Sequence, residues 1–160
     1  MTASFPAAVV VASNRAAAGA YDDTTGPLIV EALRADGWEV GDPVVVPDGE
    51  AVGLAISAAV QAGARAVLTT GGTGLTPTDL TPEATQALID REVPGIAEAI
   101  RAHGVGKGIA TAALSRGIAG TLGRALVVNL PGSRGGVKDG LAVVVPLLRH
   151  AVEQIEGSDH

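Results

Sequence analysis

Arg65–Thr81 reads RAVLTTGGTGLTPTDLT, an apolar run that passes directly into a loop of glycines and threonines. Its first six residues have the length and composition of a strand covered on both faces, as strands of parallel sheets are. The loop ends at Thr81-Pro82-Glu83. There Thr81 fits an N-cap, Pro82 a first-turn position and Glu83 the positive end of a helix dipole. Strand, glycine-rich turn and helix together make one β-α unit.

The same pattern recurs toward the N-terminus. Ala7–Ala12 (AAVVVA) reads as a continuous apolar strand, and Trp38–Val46 as a second, interrupted by Gly41 to Pro43. A helix is predicted from Thr25, with Pro27 near its start and a stop at Asp36-Gly37. Another is predicted from Glu50 to Gln61, ended by Gly63. Three β-α units over roughly 70 residues imply parallel strands joined by right-handed crossovers.

Toward the C-terminus, a helix is expected from Pro82 through about Glu92, broken by Pro94-Gly95, and another to about His103. Arg124–Leu130 (RALVVNL) is the last strand. The turn after it, read as type II at Pro131-Gly132, leads into a helix from Val137 to Ile155, with Pro146 as a candidate kink. Gly104–Gly123 holds six glycines and reads as irregular structure or a small hairpin.

Composition narrows the classes. A chain of 160 residues fits one domain, here 1–160. With no cysteine, neither a disulfide framework nor a thiolate metal site can form. Aromatic residues make up 2%, so the core must be aliphatic. The net charge of −6 argues against a nucleic-acid footprint, which needs a basic stripe. No apolar stretch approaches the ~20 residues that span a bilayer, and the N-terminus lacks a basic signal region, so a cytoplasmic protein is expected. His103, His150 and His160 lack metal-ligand spacing and are given no role.

In open parallel sheets, ligands bind beyond the carboxyl ends of the strands. That rule selects the loops Ser13–Thr24, Pro47–Glu50, Gly71–Thr81 and Pro131–Gly136. In the first the candidate is Ser13. In the third, Gly71, Gly72 and Gly74 allow close backbone approach and successive exposed N–H groups, an anion cradle beside a helix start. Thr73 and Thr76 add hydroxyls. A plain turn with an ordinary cap is the competing reading. The loop is not a P-loop, because no lysine follows its glycines, and GVGKG at Gly104–Gly108 lacks both the first glycine and the Ser/Thr. No G-x-G-x-x-G follows the first strand, which disfavours a dinucleotide site. Without cysteine or G-x-S-x-G, covalent nucleophilic catalysis is disfavoured too.

Asp79 lies inside the cradle loop and Asp48 follows the second strand. A carboxylate beside an anion site needs a compensating charge, and Mg²⁺ is the usual one where phosphates bind. Asp48 in VPDG equally suits a simple turn. Pro131, Gly132 and Ser133 form a second tight loop, in which Ser133 with Arg134 could bind a polar head group, and Ser115 and Arg116 are candidates to approach it from the irregular segment.

As a set these stretches resemble the molybdenum-cofactor biosynthesis family of MogA, MoaB and the gephyrin G domain. The resemblance is carried by TTGGTG…D.TPEAT at Thr69–Thr85, REVPG at Arg91–Gly95, LSRGIAG at Leu114–Gly120 and NLPGS at Asn129–Ser133. TTGPLI at Thr24–Ile29 resembles the family's D-x-S-G-P segment, with Thr25 in the serine's place. The resemblance implies a three-layer α/β/α sandwich with a mostly parallel sheet, usually a homotrimer, that binds molybdopterin. MogA-type members join ATP and molybdopterin to adenylyl-molybdopterin and pyrophosphate with Mg²⁺, and a MoeA-like molybdenum insertase is the expected recipient.

By the resemblance, the family's two functional aspartates fall on Asp48 and Asp79, its pterin-binding loop on Gly71–Gly74, and further substrate contacts on Ser115, Arg116 and Pro131–Ser133. Arg134 stands where many members have proline. Two alternatives remain open here. One is a MoaB-like protein that holds the pterin without adenylyl transfer. The other is a nucleotide pyrophosphatase resembling the related domain of CinA proteins.

Overall fold

The computed structural model describes residues 4–158; His160 lies outside them. In chain order the strands are β1 (Pro6–Ala12), β2 (Glu39–Val40), β3 (Val44–Val46), β4 (Ala66–Thr70), β5 (Arg91–Glu92), β6 (Ala119–Leu122) and β7 (Ala125–Leu130). The helices are α1 (Asn14–Ala17), α2 (Thr25–Ala35), α3 (Glu50–Gln61), α4 (Thr81–Gln86), α5 (Pro94–Gly106) and α6 (Arg134–Ile155), with a 3-10 turn at Ala110–Leu114.

The sheet order is β2-β1-β4-β7-β6-β5, with β3 also paired to β1. The pairs β1–β2, β1–β3, β1–β4 and β4–β7 are parallel. β4 is buried at every position. Its side chains alternate between two layers, as strand geometry demands. Ala66 and Leu68 face a core built with Ile29 and Leu33 of α2, Ile100 of α5 and Val144 and Leu148 of α6. Val67 faces the opposite core, with Val52 and Ile56 of α3. This is a three-layer α/β/α sandwich. The cores are aliphatic, and each fully buried Leu or Ile contributes about 2–3 kcal/mol by removal of its surface from water.

The mostly parallel sheet holds, and two helix bounds are corrected. β6 and β5 are antiparallel to their neighbours, so the sheet is mixed at that edge. The cause is local: only Gly123 and Arg124 separate β6 from β7, and so short a link can join only antiparallel strands. Gly123, at φ +58°, takes the first central position of that hairpin, where glycine is favoured. The helix after Pro82 ends at Gln86, and Arg91–Glu92 pair with Thr121 and Gly120 as an edge strand. Helix α6 begins at Arg134, three residues before the predicted start, because Ser133 caps it by accepting the Gly136 N–H at 3.0 Å. Residues 134–136 are therefore its first turn, and it continues through Pro146 to Ile155.

Candidate functional site

The parallel register aligns the carboxyl ends of β1, β4 and β7. Val11 pairs with Thr70, and Thr70 with Leu130, so the loops after these strands start side by side. Gly71 and Gly72 adopt φ of +89° and +69°, conformations that L side chains rarely take. Each is also packed against a neighbour. A Cβ on Gly71 would lie 2.3 Å from the Ala12 carbonyl oxygen, and one on Gly72 would lie 2.2 Å from Thr81 Oγ1 and 2.6 Å from Asp48 Oδ2. Gly132 is neither at positive φ nor in a type II turn. Its requirement is proximity, since a Cβ there would lie 3.2 Å from Gly71 Cα.

Two cavities flank this glycine contact. The larger, about 390 Å³, lies between the Gly72–Gly74 segment, the start of α6, and the α5 and 3-10 region. Thr73, Asp79, Ser115, Pro131 and Ser133 contribute to its wall. The smaller, about 190 Å³, is bounded by Ser13, Tyr21, Thr70 and Gly71, and it shares Gly132 with the larger. Ser13 is the N-cap of α1, its Oγ accepting the Ala16 N–H at 3.2 Å and lying 3.0 Å from the Tyr21 hydroxyl. The donor set at the junction is neutral, built from glycine backbone and two serine hydroxyls, with the N-terminus of the 22-residue α6 alongside.

The two aspartates are placed differently. Asp79 borders the larger cavity, with its Oδ2 accepting the Thr76 N–H at 3.0 Å. Asp48 borders neither cavity and sits behind the loop. Its backbone N–H donates to Asn14 Oδ1 at 2.9 Å, and its Oδ1 accepts the N–H groups of Gly49 at 2.8 Å and Leu80 at 3.1 Å. Asp48 thus binds the ends of three loops together. The N-cap of α4 is Leu80 and not Thr81 as expected, and the Asp48 carboxylate accepts the Leu80 N–H. Thr81 Oγ1 is buried and has no hydrogen-bond partner among the described residues.

Thr76 and Arg116 are not on the cavity walls. Thr76 Oγ1 lies 3.3 Å from Thr78 Oγ1. The Arg116 guanidinium turns away to the loop backbone, with Nε donating to the Gly74 carbonyl at 2.8 Å and Nη2 to the Asp79 carbonyl at 2.7 Å, while Nη1 pairs with Glu83. That hydrogen bond, helped by the charge of Arg116, holds the Glu83 carboxyl below its ordinary range.

Sequence reasoning did not single out two polar residues near this site. Asn129 is buried between the loops: Nδ2 donates to Thr69 Oγ1 and Thr85 Oγ1, both at 3.0 Å, and Oδ1 accepts the Ile118 N–H at 3.1 Å. Asp139, 5% exposed, borders the larger cavity from α6. Its signal was an acid within the apolar stripe Val137, Leu141, Val144, Leu148. Among the described residues no group of three or more acidic or histidine side chains is arranged to hold a metal by itself.

Fold and site define a three-layer α/β/α protein with a two-chambered pocket at the carboxyl edge of its parallel strands. The chain belongs to the family described as the probable molybdopterin binding domain, which matches residues 8–150. It is 41% identical over 155 residues to a molybdenum cofactor biosynthesis bifunctional protein of Synechococcus elongatus, covering 96% of this chain and 48% of that one. The chain thus spans about half the length of such bifunctional relatives. A molybdopterin adenylyltransferase of Pyrococcus furiosus is 39% identical over 158 residues, 93% of this chain and 92% of that one. The solved structure of the molybdopterin biosynthesis Mog protein from Mycobacterium ulcerans superposes with a TM-score of 0.91 at 45% identity, covering 98% of this chain and all of that one.

Proposed function

We propose that this chain acts in molybdenum cofactor biosynthesis as a molybdopterin adenylyltransferase. The supporting observation is the pair of adjoining cavities that meet at Gly71 and Gly132, with glycine backbone and a helix N-terminus at the junction. A group transfer between two bound molecules needs this arrangement: two compartments and a shared point where anionic groups meet.

In the reaction, an oxygen of the molybdopterin phosphate attacks the α-phosphorus of ATP. A new P–O bond forms, the bond from the α-phosphorus to the α–β bridging oxygen breaks, and pyrophosphate leaves with that electron pair. The nucleophile is already ionised near neutral pH, so no general base is required. The protein's task is to hold two anions together and to stabilise charge spreading over the phosphoryl oxygens. The N–H groups of the Gly71–Gly74 segment and of the first turn of α6 are suited to this. The sequence places Thr73, Thr76, Ser115, Arg116 and Ser133 among the expected substrate contacts. In this reading Thr73, Ser115 and Ser133 touch substrate, and Thr76 and Arg116 hold Asp79 and its loop.

A carboxylate on the wall of a phosphate site, with no all-protein cage, suits Mg²⁺, which is typically held by one or two carboxylates together with substrate phosphates. Asp79 would hold it, directly or through its water, with Asp48 bracing the loop from behind, and bound there it would neutralise phosphate charge. We further propose a homotrimer in the cytoplasm that passes its product to a MoeA-like insertase. Light scattering giving a monomer mass at micromolar concentration would remove the trimer.

The test is incubation of the purified chain with molybdopterin, ATP and Mg²⁺. Pyrophosphate and adenylylated pterin are expected in equal amounts. Pterin binding without either product would leave a binding protein, and AMP released from ADP-ribose without pterin would favour a pyrophosphatase.

A further inference from the structure

The larger cavity is polar in two unlike ways. Near Gly72–Gly74 and the start of α6 it presents backbone N–H groups, and its middle is walled by Ile100, Ile109, Ala112 and Leu114. Arg101 and Thr111 also line it, the Arg101 Nη1 donating to the Ser115 and Gly117 carbonyls, and Asp139 reaches it from α6, six residues beyond the Ser133 cap and so about 9 Å along the helix axis. A carboxylate this buried is costly unless compensated. Lys107, at the end of α5, supplies the compensation: its Nζ lies 2.7 Å from Asp139 Oδ1, and His103 Nε2 lies 3.9 Å from the same oxygen. Both basic groups therefore face Oδ1. No hydrogen bond is directed to Oδ2 among the described residues. Nor is Oδ2 sealed from solvent, since the sealed, unpartnered side-chain atoms are Arg65 Nη2 and Thr81 Oγ1.

An occupant must therefore place its anionic group at the N–H end, lay a flat apolar body along the aliphatic wall, and offer hydrogen-bond donors to Asp139. We propose that Asp139 is a specificity residue that reads the amino-pyrimidinone edge of the bound heterocycle. Oδ2 accepts from the exocyclic amine and the second lone pair of Oδ1 from the adjacent ring N–H, with Lys107 as the positioning residue that fixes the carboxylate. This rests on the reading that the larger cavity takes the pterin, and it adds which edge enters first and what the protein rejects. A heterocycle with a carbonyl in place of the amine would set oxygen against oxygen.

The test is a fluorescence titration of the full chain with 6-hydroxymethylpterin and with 6-hydroxymethyllumazine, in which the exocyclic amine is replaced by a carbonyl. The wild-type chain is expected to hold the pterin about tenfold or more tighter, the size of a hydrogen bond to a charged acceptor. Asp139→Asn is expected to erase that preference by weakening the pterin and leaving the lumazine nearly unchanged, with an unaltered circular dichroism spectrum. Equal wild-type affinities for the two, or undiminished discrimination in Asp139→Asn, overturn the inference and leave the pterin reading standing. Failure to hold either heterocycle removes the pterin reading and the inference with it. The wild-type comparison needs no variant, so it remains decisive even if Asp139→Asn does not fold.

Discussion

The guanidinium of Arg116 donates from Nη2 to the backbone carbonyl of Asp79 at 2.7 Å, so a residue of the segment before β6 sets the position of a carboxylate in the loop after β4. The same side chain holds Gly74 through Nε, and its own backbone N–H donates to the Thr73 carbonyl at 2.8 Å. In the proposed reaction Arg116 would act through the loop, as a planar fork that lysine cannot reproduce. Arg116→Ala is expected to lower kcat for pyrophosphate release about a hundredfold, as small misplacements of reacting groups do. Arg116→Lys should recover only part of this. A rise in KM for the pterin with kcat unchanged would instead return Arg116 to substrate binding.

Gly72 combines a φ of +69° with a Cβ position 2.2 Å from Thr81 Oγ1 and 2.6 Å from Asp48 Oδ2. Gly72→Ala is expected to destabilise the fold by about 1–3 kcal/mol in urea unfolding and to abolish adenylyl transfer, because the loop must shift. Gly63→Ala is the control: φ is +106° but the space is open, so its strain is remote from the site. Transfer activity equal in the two variants would contradict this account.

Asn129 satisfies three partners, the buried Thr69 of β4 and Thr85 of α4 and the half-buried Ile118 before β6. Asn129→Ala should cost about 2–4 kcal/mol, since the Thr69 and Thr85 hydroxyls and the Ile118 N–H lose their partner together. Thermal unfolding measures this. A change in melting temperature within error would mean that water replaces the amide fully.

Glu83 is held below its ordinary carboxylate range by the hydrogen bond from Arg116. The folded-state value is depressed, so the pairing stabilises the fold above the unfolded glutamate value, and this contribution disappears as pH falls through the folded value. Glu83 is largely exposed, which keeps the effect small and sensitive to salt. The expected result is that Glu83→Gln melts slightly below wild type at neutral pH and low salt, with the two curves merging in acid. A difference that grows in acid would reverse the sign argued here.

Asp48 and Asp79 separate in their expected variants. Asp79→Asn keeps the Thr76 N–H acceptor but loses charge at the cavity wall, so transfer at limiting Mg²⁺ should fall about a hundredfold or more with pterin binding retained. Asp48→Asn alters the acceptor for Gly49 and Leu80, so it should also lower the melting temperature. Wild-type adenylylation by Asp79→Asn at limiting Mg²⁺ would refute the assigned role.

Much of this fold was legible because its signals are local. AAVVVA and RAVLTT read as buried parallel strands since both faces of each are apolar, and the Glu50–Gln61 span of α3 is legible from its stop at Gly63. The edge strand Arg91–Glu92 was not legible. Two charged residues carry no strand pattern, and only pairing with β6 makes them one. Ser133 was read as a ligand contact before it could be read as a cap, because capping depends on where the helix axis starts.

The sequence by itself determined the β-α order, the aliphatic core and the glycine-rich loop from Thr69 to Thr81, because strand burial, helix boundaries and backbone freedom are set by neighbouring residues. Tertiary structure alone decided that Asp79 borders a cavity while Asp48 braces the loop from behind, that Arg116 faces the backbone, and that Asp139 enters the pocket from α6. Those placements depend on side chains 30 to 60 positions apart in sequence converging on one sheet edge, and the parallel register of β1, β4 and β7 fixes that convergence.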